Sequence, residues 1–100
     1  YISSKSNEKD IIDTLKHKNL LKYFKGIYGL SNPKIEHFQH IQKLENIKGN
    51  EICFIGDSTS DYTTAYEAKC EFIGIITEIN NFKDIMCNKI TDYKQVLNLF

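Results

Sequence analysis

Two carboxylates four residues apart, Asp57 and Asp61, follow an apolar run, while a lysine, Lys34, and a hydroxyl, Ser4, hold comparable places earlier in the chain. These are the groups that handle a phosphoryl oxyanion and a hard cation. Magnesium takes oxygen ligands at about 2.0 to 2.1 Å and commonly uses only one or two protein carboxylates, leaving phosphate and water to complete the shell. Asp57 and Asp61 can supply that pair. Gly56 lets the backbone turn sharply off the preceding run, and Asp61 falls in the first turn of the next helix, pointing back toward the same mouth. Each residue also has an ordinary explanation. Ser58-x-x-Asp61 is itself a capping-box pattern, and a lysine such as Lys34 is usually a solvated surface residue. Ser4 competes with Ser3 and Ser6, any of which could cap a turn. Against the ordinary reading of Lys34, a cation in the first turn of a helix opposes the macrodipole, and a bound phosphoryl group would remove that penalty.

Such groups need strand ends and helix starts to hold them. Tyr1 to Ser4 reads as the last residues of a strand, after which Ser6 or Asn7 caps a helix carrying Ile11, Ile12 and Leu15 and fading near Lys18. Leu20, Leu21, Tyr23 and Phe24 form a second apolar patch, and Ile27 to Leu30 reads as a short strand. Asn32-Pro33 starts the next helix, with Asn as cap and Pro at the first helical position. Ile35, Phe38, Ile41 and Leu44 predict one buried face for it, and it should stop by Gly49. Glu51 to Ile55 is a near-continuous apolar run, as expected of a parallel strand covered on both faces. Ser60 or Asp61 then opens a helix carrying Tyr62, Ala65 and Ala68, followed by a buried strand over Phe72 to Ile76. A short helical stretch from Asn81 to Met86 and a last helix from Thr91 or Asp92 to Phe100 complete the reading. Tyr62 and Tyr66 are expected to pack rather than to offer stacking platforms. Strands alternating with helices at this spacing imply right-handed crossovers and an α/β layered parallel sheet, in which ligands sit beyond the carboxyl ends of the strands.

The 100 residues are expected to make one domain, and 29 of them are Ile, Leu, Val or Phe, above the level of a disordered chain. Thirteen basic residues, all Lys, balance thirteen acidic ones, so no net field draws the chain to nucleic acid or an anionic membrane. With no Arg, phosphate must be met by Lys point charges and backbone N–H groups. Cys53, Cys70 and Cys87 are too widely spaced for a CxxC motif and read as free thiols in a reducing cytoplasm. No apolar run approaches the roughly 20 residues that span a bilayer. His17, His37 and His40 read as exposed helix histidines without a third ligand nearby. The chain opens at Tyr1 in what already reads as the end of a strand, so an upstream segment is expected.

Gly56-Asp57-Ser58-x-x-Asp61, between a buried strand and an alanine-containing helix that leads to Phe72-Ile73-Gly74-Ile75, resembles the acidic metal-binding motif of the haloacid dehalogenase (HAD) superfamily. The Gly29-x-x-x-x-Lys34 stretch resembles its lysine motif, and Ser4 its Ser/Thr motif. Ser4 is preferred over its neighbours because it puts Ile11 where the family has its first buried helix residue. The match runs in order over nearly the whole chain and is closest in pattern to phosphoglycolate-phosphatase-like members. The resemblance implies the C-terminal part of a Rossmann-like HAD core over residues 1–100, with the central N-terminal strand and the cap absent. It implies a magnesium-dependent phosphatase acting on a small phosphorylated metabolite through an aspartyl phosphate. Ser4 and Lys34 would act in catalysis and Asp57 and Asp61 would hold Mg2+. No Asp-x-Asp followed by Thr or Val occurs here, so the nucleophile is expected from a missing N-terminal half or another chain, without which this piece should be inactive. A phosphomutase of the same superfamily and a non-catalytic phosphate-docking fragment are the alternatives. A receiver domain fits less well, because its acidic pair should precede the lysine. Lys69 stands where the family more often has Gly, so the helix before it is expected to end differently.

Overall fold

A computed structural model describes residues 1–98, which divide into two compact units, Tyr1–Leu44 and the chain from Glu45 onward. In the first unit, strand β1 (Ile2–Ser3) pairs in parallel with β2 (Ile27–Tyr28), Ile2 opposite Ile27 and Ser3 opposite Tyr28. Helix α1 (Glu8–His17) connects them, with a 3-10 turn over Leu21–Tyr23 in place of the second apolar patch. Of the two expected caps it is Asn7 that acts, its side chain accepting the Lys9 N–H at 2.9 Å. Glu8 and Asp10 in the first turn and Lys16 and His17 in the last complement the helix dipole.

Helix α2 (Lys34–Glu45) closes this unit, and here two expectations are corrected. The buried face runs through His37, Phe38 and Ile41, while Leu44 is exposed. Ile35 and Leu44 are nine positions apart, two and a half turns at 3.6 residues per turn, so they lie on opposite sides of the helix. His37, read as an exposed histidine, is only 1% exposed, whereas His17 and His40 are at the surface. The side-chain amide of Asn32 donates to Glu36 Oε2 at 2.8 Å.

The second unit holds a three-stranded parallel sheet in the order β3 (Cys53–Gly56), β4 (Glu71–Ile75), β5 (Asn88–Ile90). Helix α3 (Thr59–Glu67) crosses from β3 to β4 and starts earlier than Ser60, because Ser58 caps it. Ala65, Phe72 and Phe82 form the core, with Phe54 and Tyr62 packed against them. The rings meet edge to face, Phe54 with Phe72 at 6.0 Å between centroids and Tyr62 with Phe72 at 5.6 Å, the offset geometry that aromatic quadrupoles favour. Tyr66 is exposed.

No helix forms over Asn81 to Met86, and β5 appears where no strand was expected. Asn80 Oδ1 accepts the Phe82 N–H and Asn81 Oδ1 the Lys83 N–H, both at 3.0 Å, so these side chains take over the backbone donors a helix would need. Phe82, with φ 53°, then turns its ring over Gly74, where an added Cβ would lie 2.8 Å from the ring. The expected last helix is represented by a 3-10 helix over Tyr93–Asn98, and Leu99 and Phe100 lie outside the described residues. Among the described residues no helix is long and apolar enough to cross a membrane.

Lys69 also departs from expectation. It adopts φ 58° and ends α3 as a glycine would: Lys69 N–H reaches Tyr66 O at 3.1 Å and Cys70 N–H reaches Ala65 O at 2.9 Å, the paired bonds of a Schellman motif. Asn19, φ 57°, ends α1 with the same pair of bonds. The side chain of Lys69 therefore carries left-handed backbone strain, partly offset by the lower entropy of its unfolded state. Lys69→Gly is expected to raise the unfolding free energy of the intact protein by up to about 1 kcal/mol, read from the urea midpoint; a lower midpoint would contradict this account.

Candidate active site

Within the first unit, Ser4 lies one residue past β1. Its N–H donates to Tyr28 O at 3.0 Å, and its Oγ accepts the Ser6 N–H at 3.1 Å, fixing the hydroxyl at the strand mouth. Ser3, its nearest competitor, is turned the other way, with its Oγ 2.7 Å from Nδ1 of the buried His37. Lys34 is the first residue of α2 and half-buried. The loop that delivers it is stitched to the loop carrying Ser4: Leu30 N–H donates to Ser6 O at 2.9 Å, and Ser31 N–H to Glu8 Oε1 at 3.2 Å. Gly29 is required at this closure because a Cβ there would run into the Ser6 carbonyl and the Glu8 side chain. Thus the fold joins the Ser4 and Lys34 loops through backbone that neither residue supplies.

Within the second unit, Asp57 is exposed immediately after β3, and Asp61 is 4% exposed as the third residue of α3. Asp61 N–H donates to Ser58 Oγ at 3.0 Å while its Oδ2 accepts the Ser58 N–H at 3.3 Å, so the capping box read in the sequence is present. That role folds the Asp61 carboxylate back over Gly56, where an added Cβ would lie 2.7 Å from Oδ2. The ordinary reading and the metal reading therefore coexist: the cap is what aims the carboxylate at the end of β3. Asn80, in the loop beyond β4, donates its amide to Asp57 O and to Thr59 Oγ1, each at 3.3 Å, tying that loop to the acidic turn.

The family model for haloacid dehalogenase-like hydrolases matches residues 1–75, which contain Ser4, Lys34, Asp57 and Asp61. The chain belongs to that family. A solved HAD-superfamily hydrolase from Ehrlichia chaffeensis is 27% identical, superposes with a TM-score of 0.78, and aligns over 98% of this chain but only 47% of its own. This HAD-like chain thus spans about half the length of that relative, and its α/β architecture of parallel strands and helices is an incomplete HAD-like fold. A comparison with curated proteins returns no match.

The donor set of the HAD-like turn is oxygen only, an exposed carboxylate and one folded over a glycine, which suits a hard cation such as magnesium. Among the described residues no group of three or more His, Cys, Asp or Glu could hold a metal ion, so a site here would draw its other ligands from outside these side chains. Burial first, and Glu71 second, pushes the Cys53 thiol up, and burial followed by Cys53 does the same to Cys70, which disfavours the thiolate form of these two. Three residues that support the site escaped the sequence reading: His37, Glu8 and Asn80. Only Glu8, an acid in a first helical turn, carried a local signal, and it pointed to the dipole rather than to Ser31.

Hydrogen bonds hold the Glu8 carboxyl below its ordinary range, that of the Ser31 side chain first and those of the Glu8, Ser31 and Gly29 backbone after it. A carboxylate depressed in the folded state contributes stability above its unfolded pKa and loses it as pH falls through the lower folded value. In NMR titration of the intact protein, the Ser31 amide should shift with a midpoint below that of an ordinary glutamate, and Glu8→Gln should abolish the transition. A midpoint at or above the ordinary value would rule out the clamp.

Proposed function

We propose that the protein containing this chain is a magnesium-dependent phosphoric monoester hydrolase acting on a small phosphorylated metabolite through an aspartyl phosphate. The observation that carries this reading is the turn at Gly56–Asp61, where the helix cap folds one carboxylate over a side-chain-free position at a strand end beside a second, exposed one. Family membership and the order of Ser4, Lys34, Asp57 and Asp61 support it.

In this reading Asp57 and Asp61 would hold Mg2+, which supplies positive charge where the transferring phosphoryl oxygens concentrate negative charge. Lys34 would set its ammonium against the same oxygens as a point charge, relieving its unfavourable place at a helix N-terminus. Ser4, its Oγ already accepting from Ser6 N–H, would donate its hydroxyl proton to a phosphoryl oxygen. These three contributions strengthen as charge develops, which is where catalysis of phosphoryl transfer mostly lies. The attacking carboxylate would come from a segment outside these residues, supplied by the same protein or another chain, and a reducing cytoplasm is the proposed setting. The same site would serve a phosphomutase if the phosphoryl group returned to substrate instead of water. Because these 100 residues contain no Asp-x-Asp, a non-catalytic phosphate-docking role is the second reading.

With the intact protein and para-nitrophenyl phosphate, Asp57→Asn and Lys34→Ala should each lower kcat/KM by about 100-fold or more, and chelation should abolish turnover that added Mg2+ restores. Full activity in Lys34→Ala would remove that residue from the role. Phosphate binding without turnover would favour docking.

A further inference from the structure

We propose that His37 is a positioning residue of this site, its two ring nitrogens locking the carboxyl ends of β1 and β2 onto α2 and thereby setting Ser4 relative to Lys34. The inference rests on the roles proposed above for Ser4 and Lys34.

The hydrogen-bond directions follow from the partners. Nε2 lies 3.1 Å from Gly29 O, and a carbonyl oxygen only accepts, so the ring carries its proton on Nε2. In the neutral ring Nδ1 is then an acceptor, and the Ser3 hydroxyl, 2.7 Å away, donates to it. A single side chain thereby holds the residue before Ser4 and the glycine at which the lysine loop closes. It does so from α2, three residues after Lys34 on the same helix. Being 1% exposed, His37 makes both bonds away from water.

Packing alone does not ask for an imidazole. The neighbouring buried positions of the helix, Phe38 and Ile41, are apolar, and the Tyr28 ring, 5.4 Å from that of His37, would pack equally against phenylalanine. What phenylalanine lacks is the pair of polar contacts, and these fall on the two strand ends that precede Ser4 and the Lys34 loop. A one-ångström shift of a catalytic group can cost about 100-fold in rate, so a clamp of this kind is read in kcat more than in KM.

The test uses the intact protein with His37→Phe, which keeps the volume and removes both bonds, and His37→Gln, whose amide can still donate toward Gly29. Expected for His37→Phe are faster amide exchange confined to residues 4–7 and 29–31, with α3 and β4 unchanged. Its kcat for para-nitrophenyl phosphate should fall by about 10-fold to 100-fold with a much smaller change in KM. His37→Gln should recover protection at 29–31 and part of kcat, and it serves as the deciding variant if His37→Phe does not fold. Exchange that rises uniformly along the chain, exchange that stays at the parent level, or local opening with kcat unchanged would each overturn the proposal. If the parent shows no hydrolysis, it is the hydrolase reading that fails, and the exchange pattern alone decides whether His37 clamps the two loops.

Discussion

The strands of this chain are short, two residues each for β1 and β2 and no more than five for β4, so few ladder bonds hold their ends. Ser4 and Asp57 lie one position beyond those ends, and Asp61 and Lys34 five and six positions beyond, where a ladder can no longer place them. Side chains folded back onto the backbone must do so. His37 spans Ser3 and Gly29, Asp61 returns to Ser58, and Asn80 reaches the Asp57 carbonyl. The contacts of His37 and Asp61 satisfy polar groups that would otherwise cost free energy at buried or partly buried positions, which is why they serve stability and position at once.

Gly56 shows how narrow the tolerance is. Its missing Cβ is the space into which the Asp61 carboxylate folds, so the glycine and the acid define one another. Gly29 has the same relation to the Ser6 carbonyl and the Glu8 side chain. In both units a glycine at or just past a strand end is needed for the close approach of a neighbouring group rather than for a left-handed backbone, since no glycine has positive φ. The left-handed positions fall instead on Asn19, Asn46, Lys69 and Phe82.

Among the structural expectations, the alternation of strands and helices, the free thiols and the capping box were legible because each depends on a local pattern. The failures share a cause. Leu44 was assigned inward because a three-residue repeat resembles a helical face over two turns and drifts off it by the third. Asn81 to Met86 looked helical until the two asparagine side chains captured the backbone donors. β5 was missed because only Ile90 of its three residues is buried, too little to register as a pattern. Lys69 was expected to redirect a helix end, yet Schellman bonding and packing of the following strand hold it in a conformation its type disfavours.

By itself the sequence determined the α/β class, the order of the elements as far as β4, the family and the four candidate residues Ser4, Lys34, Asp57 and Asp61, because apolar periodicity and motif spacing are properties of neighbouring positions. Only the tertiary structure decided that Ser3 turns inward while Ser4 stays at the mouth, that Asp61 lies over Gly56, and that a histidine read as exposed is buried between two strand ends. The first and last of those outcomes depend on one ring meeting two strand ends at hydrogen-bond distance: Ser3, 34 positions before His37, and Gly29, 8 positions before it. No local pattern encodes such a meeting, because it exists only once the strands have paired and the helix has packed.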